Sequence, residues 1–348
     1  LGSLFDGIGV FPLAAVHCGM EPVWASEIEA RPISITKRHF PDMLHLGDIT
    51  KISGAEIPPV DVITFGSPCQ DLSQIGTRNG FAGKKSSLFY QAMRIIEEMR
   101  YATNGRYPAF CIWENVAGAF SSNDRLDFAA MLSAFTGAEV SVPPRGWAHA
   151  GMVRGGRADT AWRLLDAQYW GEPALVQRRK RVFVVADFAG QRAGEVLFKP
   201  RTVLPFSAIG GPGGLSATAG SGVPAAQTGR QVPIVRPFSL RRMRTMAQVG
   251  DQKGFCASFG RGGEPFPTLL ASVTAPFSFW YEGEERDGFL RALTPLECER
   301  LMGLPENWTK YGCKNEEISD HARYRALGNS IALPCAEYVM AGIAEVMN

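Results

Sequence analysis

The chain has 348 residues, room for roughly two domains at about 150 residues each. With 45% hydrophobic and 20% charged residues it has the composition of a globular protein, which excludes a collagen-like, disordered or disulfide-scaffold chain. Lys and Arg number 36 against 34 Asp and Glu, net +2, so only a local patch, not a global field, can point to a partner.

The first 190 residues alternate between strand and helix signals. Leu4-Phe5 run into the turn Asp6-Gly7-Ile8-Gly9, and the next helix has Pro12 in its first turn and Gly19 at its end. A short strand around Val23–Ala25 leads to Glu27, and Asp48 repeats that position on the following unit. Val60–Phe65 is a compact apolar strand that stops at Gly66-Ser67-Pro68-Cys69. In Ser86–Tyr101, Leu88, Phe89, Ala92, Met93, Ile96 and Met99 share one helical face. Ala109–Trp113 is a further strand, ending in Glu114-Asn115, and Arg181–Ala186 is another. Strands alternating with helices predict an α/β fold with an open, mostly parallel sheet. Such sheets bind ligands beyond the carboxyl ends of their strands, where Gly7, Glu27, Pro68-Cys69 and Glu114 stand.

The composition changes after about residue 195. Gly210–Gly229 holds seven glycines and no periodicity, a loop rather than a core element. Between Arg230 and Gly262, six Arg and one Lys face a single acid, Asp251, with Phe238, Phe255 and Phe259 interleaved. Order returns at Thr294-Pro295-Leu296-Glu297, a capping box with Pro at the first helical position, and Ile331–Met347 reads as a closing helix. The predicted division is 1–194 for a first catalytic and cofactor part, 195–285 for a recognition domain, and 286–348 for the closing catalytic part.

Several residues can carry chemistry. Cys69 follows Pro68 at a strand-to-loop junction with polar neighbours, the partly exposed setting in which a thiol becomes a nucleophile. Glu114 ends a neighbouring strand and can reach the same place. In Gln177-Arg178-Arg179-Lys180-Arg181, alternation puts Gln177, Arg179 and Arg181 on one face of an extended chain; an exposed basic edge is the competing interpretation. The five histidines lack metal-site spacing and are taken as structural, so no metal is expected. Seven scattered cysteines without a CxxC pair suit a reducing cytosol. No apolar run approaches the ~18 residues of a membrane span, no signal peptide is visible, and the expected location is cytoplasmic, in a bacterial or phage-infected cell.

In this order the motifs resemble the bacterial and phage DNA (cytosine-5)-methyltransferases across nearly the whole chain. Leu4–Gly9 is similar to that family's cofactor motif, Gly66–Gln70 to its nucleophile motif, and Glu114-Asn115-Val116 to the next. Gln177–Arg181 has the Q-x-R-x-R form, Arg291–Gly303 resembles the penultimate motif, and Gly328-Asn329-Ser330 the last. Each is weak alone; six in order are specific.

The resemblance implies a Rossmann-like fold that uses S-adenosylmethionine, releases S-adenosylhomocysteine, and carries a smaller, irregular target-recognition domain. It implies that Cys69 attacks C6 of a cytosine flipped out of double-stranded DNA, that Glu114 holds and protonates N3, and that Arg179 stabilises the ring carbonyl. Asn115 orients the Pro68-Cys69 loop, and Arg181 completes the catalytic set. Phe5, Gly7, Ile8, Gly9, Glu27, Ile28, Asp48, Ile49, Pro68, Leu88, Asn329 and Ser330 are expected around the cofactor. Gln70, Ser73, Arg78 and Lys84 would contact DNA from the loop after Cys69, and Arg241, Arg242, Arg244 and Arg261 from the recognition domain. A monomer is expected, with any cognate restriction endonuclease a separate protein. Val10 stands where the family has another Gly, Ile28 replaces a frequent aromatic, and Val140–Trp162 is an extra segment that either contacts DNA or covers the sheet. An RNA cytosine methyltransferase and a DNA-binding pseudo-enzyme remain as alternatives. An oxidoreductase rests on the Gly turn alone.

Overall fold

The computed structural model describes residues 1–67, 88–199 and 292–348, residues 266 and 269, and the backbone of the strands at 234–237, 277–281 and 288–291. An eight-stranded sheet organises the molecule. Five strands run parallel: β1 (Gly2–Leu4), β2 (Trp24–Ser26), β3 (Leu44–His45), β4 (Val62–Phe65) and β5 (Phe110–Val116). Three more, β6 (Ala150–Arg154), β7 (Asp159–Asp166) and β8 (Lys180–Asp187), are antiparallel to their neighbours, and the spatial order is β3-β2-β1-β4-β5-β8-β7-β6. The expected mostly parallel α/β sheet is therefore present, extended by an antiparallel flank.

Helices cover both faces. On one face α1 (Val10–His17) packs with the last helix, α8 (Leu333–Met347), where Phe11, Leu13 and Ala14 share a buried cluster with Ala336, Val339, Met340 and Ile343. On the other, α3 (Leu88–Ala102) and α4 (Leu126–Thr136) cover the sheet through Phe89, Ile96, Phe128, Leu132 and Phe135. Burial on both faces explains why Val62–Phe65 and Phe110–Trp113 read as continuous apolar runs rather than as alternations. The remaining helices are α2 (Ala30–His39), α5 (Ala193–Leu197), α6 (Pro295–Leu301) and α7 (Asp320–Asn329). Thr294 and Glu297 form the predicted reciprocal capping box on α6.

One expectation needs correction, and the extra segment gains a place in the sheet. β5 does not stop at Trp113: its antiparallel pairing with β8 continues to Val116, so Glu114 and Asn115 lie within the strand. The Val140–Trp162 segment builds β6 and the start of β7, the outer edge of the sheet. Trp147 packs there edge-on against Phe128 and Trp162, so the segment extends and covers the sheet. Strands β9 (Ile234–Pro237), β10 (Phe277–Tyr281) and β11 (Gly288–Ala292) form a separate antiparallel sheet. Arg241, Arg242, Arg244 and Arg261 lie outside the described residues, as does 68–87 with Pro68, Cys69, Gln70, Ser73, Arg78 and Lys84.

Candidate active site

The site residues gather at the carboxyl edge of the parallel strands. Glu114 on β5 stands opposite Phe183 on β8, and Arg181 lies two residues from Phe183 on the same face. Arg181 Nε lies 2.9 Å from Glu114 Oε1, with little of either side chain exposed. Burial pushes the Glu114 carboxyl above its ordinary value, and the charges of Arg181 and Arg179 partly offset this. Gly66 ends β4 beside it: a Cβ at Gly66 would sit 3.1 Å from Glu114 Oε2, so glycine leaves the carboxyl its place. Asn115 and Trp113 point to the other face and converge on Ser67. The Asn115 amide donates to the Ser67 carbonyl at 2.9 Å and the Trp113 indole to the Ser67 hydroxyl at 3.1 Å. Ser67 thus stands fixed immediately before Pro68-Cys69.

The predicted alternation in Gln177–Arg181 is present, and its inward face is buried. Gln177 and Arg179 are enclosed while Arg178 and Lys180 are exposed. The Arg179 guanidinium donates to the carbonyls of Leu269 (2.8 Å), Gly328 (2.9 Å) and Ser330. Burial, then the charge of Arg181, lowers its pKa to about 9, still high enough for a full positive charge at neutral pH. Both terminal nitrogens of Arg179 are occupied by main chain. Arg181 is the arginine that meets Glu114, and Arg179 ties the Gly328–Ser330 segment to the sheet.

The turn between β1 and α1 is shaped for a ligand. Phe5, Gly7 and Gly9 take positive φ angles of 55°, 60° and 76°, and Gly9 packs so closely on Thr36 and Phe40 that a Cβ there would meet them at 3.0 and 3.1 Å. Glu27, past the end of β2, accepts from the Gly7 amide at 2.9 Å and from the Ile28 and Glu29 amides at 2.8 and 3.0 Å. Those three bonds leave an acceptor position on the carboxylate for a hydroxyl. Ile28 beside it is 73% exposed, an apolar surface at the mouth of the site. Asp48 accepts from the Thr50 amide and hydroxyl, which hold its carboxyl below its ordinary value. Ile8 and Ile49 are buried in the core. Leu88 opens α3 half-buried, Asn329 ends α7 exposed, and Ser330 follows it half-buried. A carboxylate, an exposed apolar side chain and a glycine turn at a helix start, on successive parallel strands, fit a nucleoside with an anionic tail.

Asp6 was not among the expected site residues. Its carboxylate oxygens are shut off from solvent, with the Ser3 and Thr36 hydroxyls as their polar neighbours. Burial, with Glu27 adding to it, raises its pKa from 3.8 to about 7, although the Ser3 and Thr36 hydroxyls pull the other way. The only signal for it in the sequence is an acid in an otherwise apolar and glycine turn. Because the folded value lies above the unfolded one, the folded chain holds the extra proton between them. Asp6 therefore costs nothing below about pH 4 and costs stability as the pH rises to about 7, at most roughly 4 kcal/mol. Asp6→Asn is expected to remove that loss, giving a higher urea midpoint than the unsubstituted chain at pH 8 and an equal or lower one at pH 4. Circular dichroism at both pH values checks it.

Among the described residues, no group of three or more His, Cys, Asp or Glu is placed to hold a metal ion, and no single helix is long and apolar enough to cross a membrane.

Residues 1–198 and 241–345 match the family model described as C-5 cytosine-specific DNA methylase. An Escherichia phage P1 protein named DNA N-6-adenine-methyltransferase is 24% identical, with 97% of this chain and 60% of that protein aligned. The chain thus spans less than two thirds of that relative. The type II methyltransferase M1.ScrFI of Lactococcus lactis subsp. cremoris is 26% identical, over 99% of this chain and 78% of its own length. The solved structure of the Entamoeba histolytica methyltransferase EhMeth superposes with a TM-score of 0.60 at 14% identity, covering 100% of this chain and 98% of that one, which shows the same fold. With the family model matched over residues 1–198 and 241–345, the chain belongs to the C-5 cytosine-specific DNA methylases.

Proposed function

We propose that the protein methylates C5 of a cytosine flipped out of double-stranded DNA, with S-adenosylmethionine as the donor and Cys69 as the covalent nucleophile. The observation that carries this is the Glu114–Arg181 pair packed against Gly66, one strand from the segment that Asn115 ties down before Cys69. Cytosine C5 is a poor nucleophile, and addition of the Cys69 thiolate to C6 makes the ring electron-rich at C5. Glu114, held toward its protonated form, gives its proton to N3 as the thiolate adds, so that charge does not accumulate on the ring. Arg181 meets Glu114 through Nε and the Lys180 carbonyl through Nη1, which leaves Nη2 for the ring carbonyl, and it takes the stabilising role expected of Arg179. Arg179 keeps the Gly328–Ser330 wall in place. Glu27 would hold the cofactor's ribose hydroxyls, Ile28 one side of its adenine and the start of α1 its carboxylate. When bound, the cofactor would supply an electrophilic methyl group. Loss of the C5 proton to a base then expels the Cys69 thiolate from C6 and restores the aromatic ring.

The target base has to leave the stack to react, at a cost of a few kcal/mol. Gln70, Ser73, Arg78 and Lys84 would contact DNA around it, while Arg241, Arg242, Arg244 and Arg261 read the sequence context. The type II relatives support a place in a restriction-modification system. In this reading the protein acts as a monomer in the cytoplasm, with any endonuclease a separate chain. Labelled S-adenosylmethionine with mixed-sequence duplex DNA, followed by bisulfite sequencing, tests the proposal. The expected result is label on cytosine C5 in one short context, abolished in Cys69→Ser. Transfer to RNA alone, or none to DNA, would overturn it.

A further inference from the structure

Trp308 lies in the turn after α6, yet its polar end reaches the cofactor loop. The indole Nε1 donates to the Ile8 carbonyl at 2.8 Å, and the residue is only 5% exposed. Ile8 precedes the start of α1, and the first helical carbonyl, accepting from Leu13, belongs to Gly9. The Ile8 carbonyl therefore has no partner within the helix, and the indole supplies one. The N–H of this same Ile8–Gly9 peptide donates to the Asp6 carbonyl at 3.2 Å and the Gly7 amide donates to Glu27, so the indole secures the second end of a peptide already bonded at the first.

The indole is itself held on every side. Its ring stacks on His39 with centroids 3.6 Å apart and planes within 4°, and Phe40 meets it edge-on at 6.0 Å. His39 Nε2 donates to the Trp308 carbonyl at 2.8 Å. The fully buried Glu299 accepts from the Asn307 and Thr309 amides at 2.8 and 2.9 Å, on either side of Trp308, and from Arg323 on α7 at 3.0 Å. Such enclosure leaves the N–H one direction, toward Ile8.

We propose that Trp308 is a positioning residue for the cofactor: its indole N–H fixes the Ile8–Gly9 peptide plane and so aims the amides at the start of α1 at the ligand's anionic end. This rests on the cofactor assignment above. It joins the closing segment, which also carries Asn329 and Ser330, to the glycine turn on the far side of the site.

Trp308→Phe keeps a ring against His39 and removes the donor. Titration calorimetry with S-adenosylhomocysteine is expected to show about tenfold weaker binding, the scale of one lost hydrogen bond. Hydrogen exchange at the Gly7–Val10 amides should be faster in the unliganded protein. DNA affinity without cofactor should stay within twofold, and the KM for the methyl donor should rise with little change in kcat. His39→Leu, which loosens the stack but keeps the N–H, should give a smaller loss of affinity. Unchanged S-adenosylhomocysteine affinity in a Trp308→Phe protein that has merely lost thermal stability would overturn the inference alone. An unsubstituted chain that binds no S-adenosylhomocysteine would overturn it together with the cofactor assignment.

Discussion

Glu114→Gln should slow methyl transfer by roughly 10²- to 10⁴-fold while leaving DNA binding nearly intact. Glutamine keeps the shape and an N–H for the base, but it has no proton to give up as the thiolate adds. Burial favours the protonated carboxyl, whereas Arg181 at 2.9 Å and the nearby Arg179 favour the carboxylate. The balance keeps the folded-state pKa above the ordinary value. The single-turnover rate of the unsubstituted chain should therefore fall as the pH rises through that value, because the proton donor is lost. The residual rate of Glu114→Gln should lack that limb. Rapid-quench measurements from the ordinary carboxylate range upward would show it, and a variant within tenfold of the unsubstituted chain would exclude Glu114 as the donor.

Arg179→Ala has the largest expected effect on stability. Its guanidinium donates to three carbonyls from two distant segments, Leu269 on one side and Gly328 and Ser330 on the other. Truncation leaves these acceptors buried with little or no access to water, each costing about 1–3 kcal/mol. The expected loss is on the order of 4 kcal/mol in urea unfolding. Arg179→Lys should recover only part of it, since one ammonium cannot span the three carbonyls that a planar fork reaches. Arg181→Ala makes the contrast: its side chain faces the site and pairs with Glu114, so activity should fall further than stability. Equal stability losses at Arg179 and Arg181 would undo the division of labour between them.

Much of this was legible along the chain, because its causes are local. Period-two burial at Gln177, Arg179 and Arg181, the capping box at Thr294 and the glycine turn after β1 depend on residues within a few positions of one another. The distinction between Arg179 and Arg181 was not legible. What separates them is a set of carbonyls 90 to 151 residues away against a carboxylate on the adjoining strand. The end of β5 was misplaced for a related reason: only the antiparallel partner β8 carries the strand through Glu114 to Val116. The role of Asp6 depends on enclosure by Ser3, Thr36 and Glu27, which no spacing announces. No spacing singles out Trp308 either: its ring packs on His39, and its N–H finds an acceptor 300 residues earlier.

The pairing of α1 with α8 has a consequence for synthesis. The two helices share one buried cluster, but roughly 300 residues separate them in the chain. At about 5–20 residues per second, the apolar side of α1 emerges some 15–60 seconds before its partner exists. Phe11, Leu13 and Ala14 then present an uncovered surface next to β1, while α3 and α4 can already settle on the opposite side. The nascent chain should therefore bind a holdase along Leu1–Met20 and release it only when Leu333–Met347 arrives.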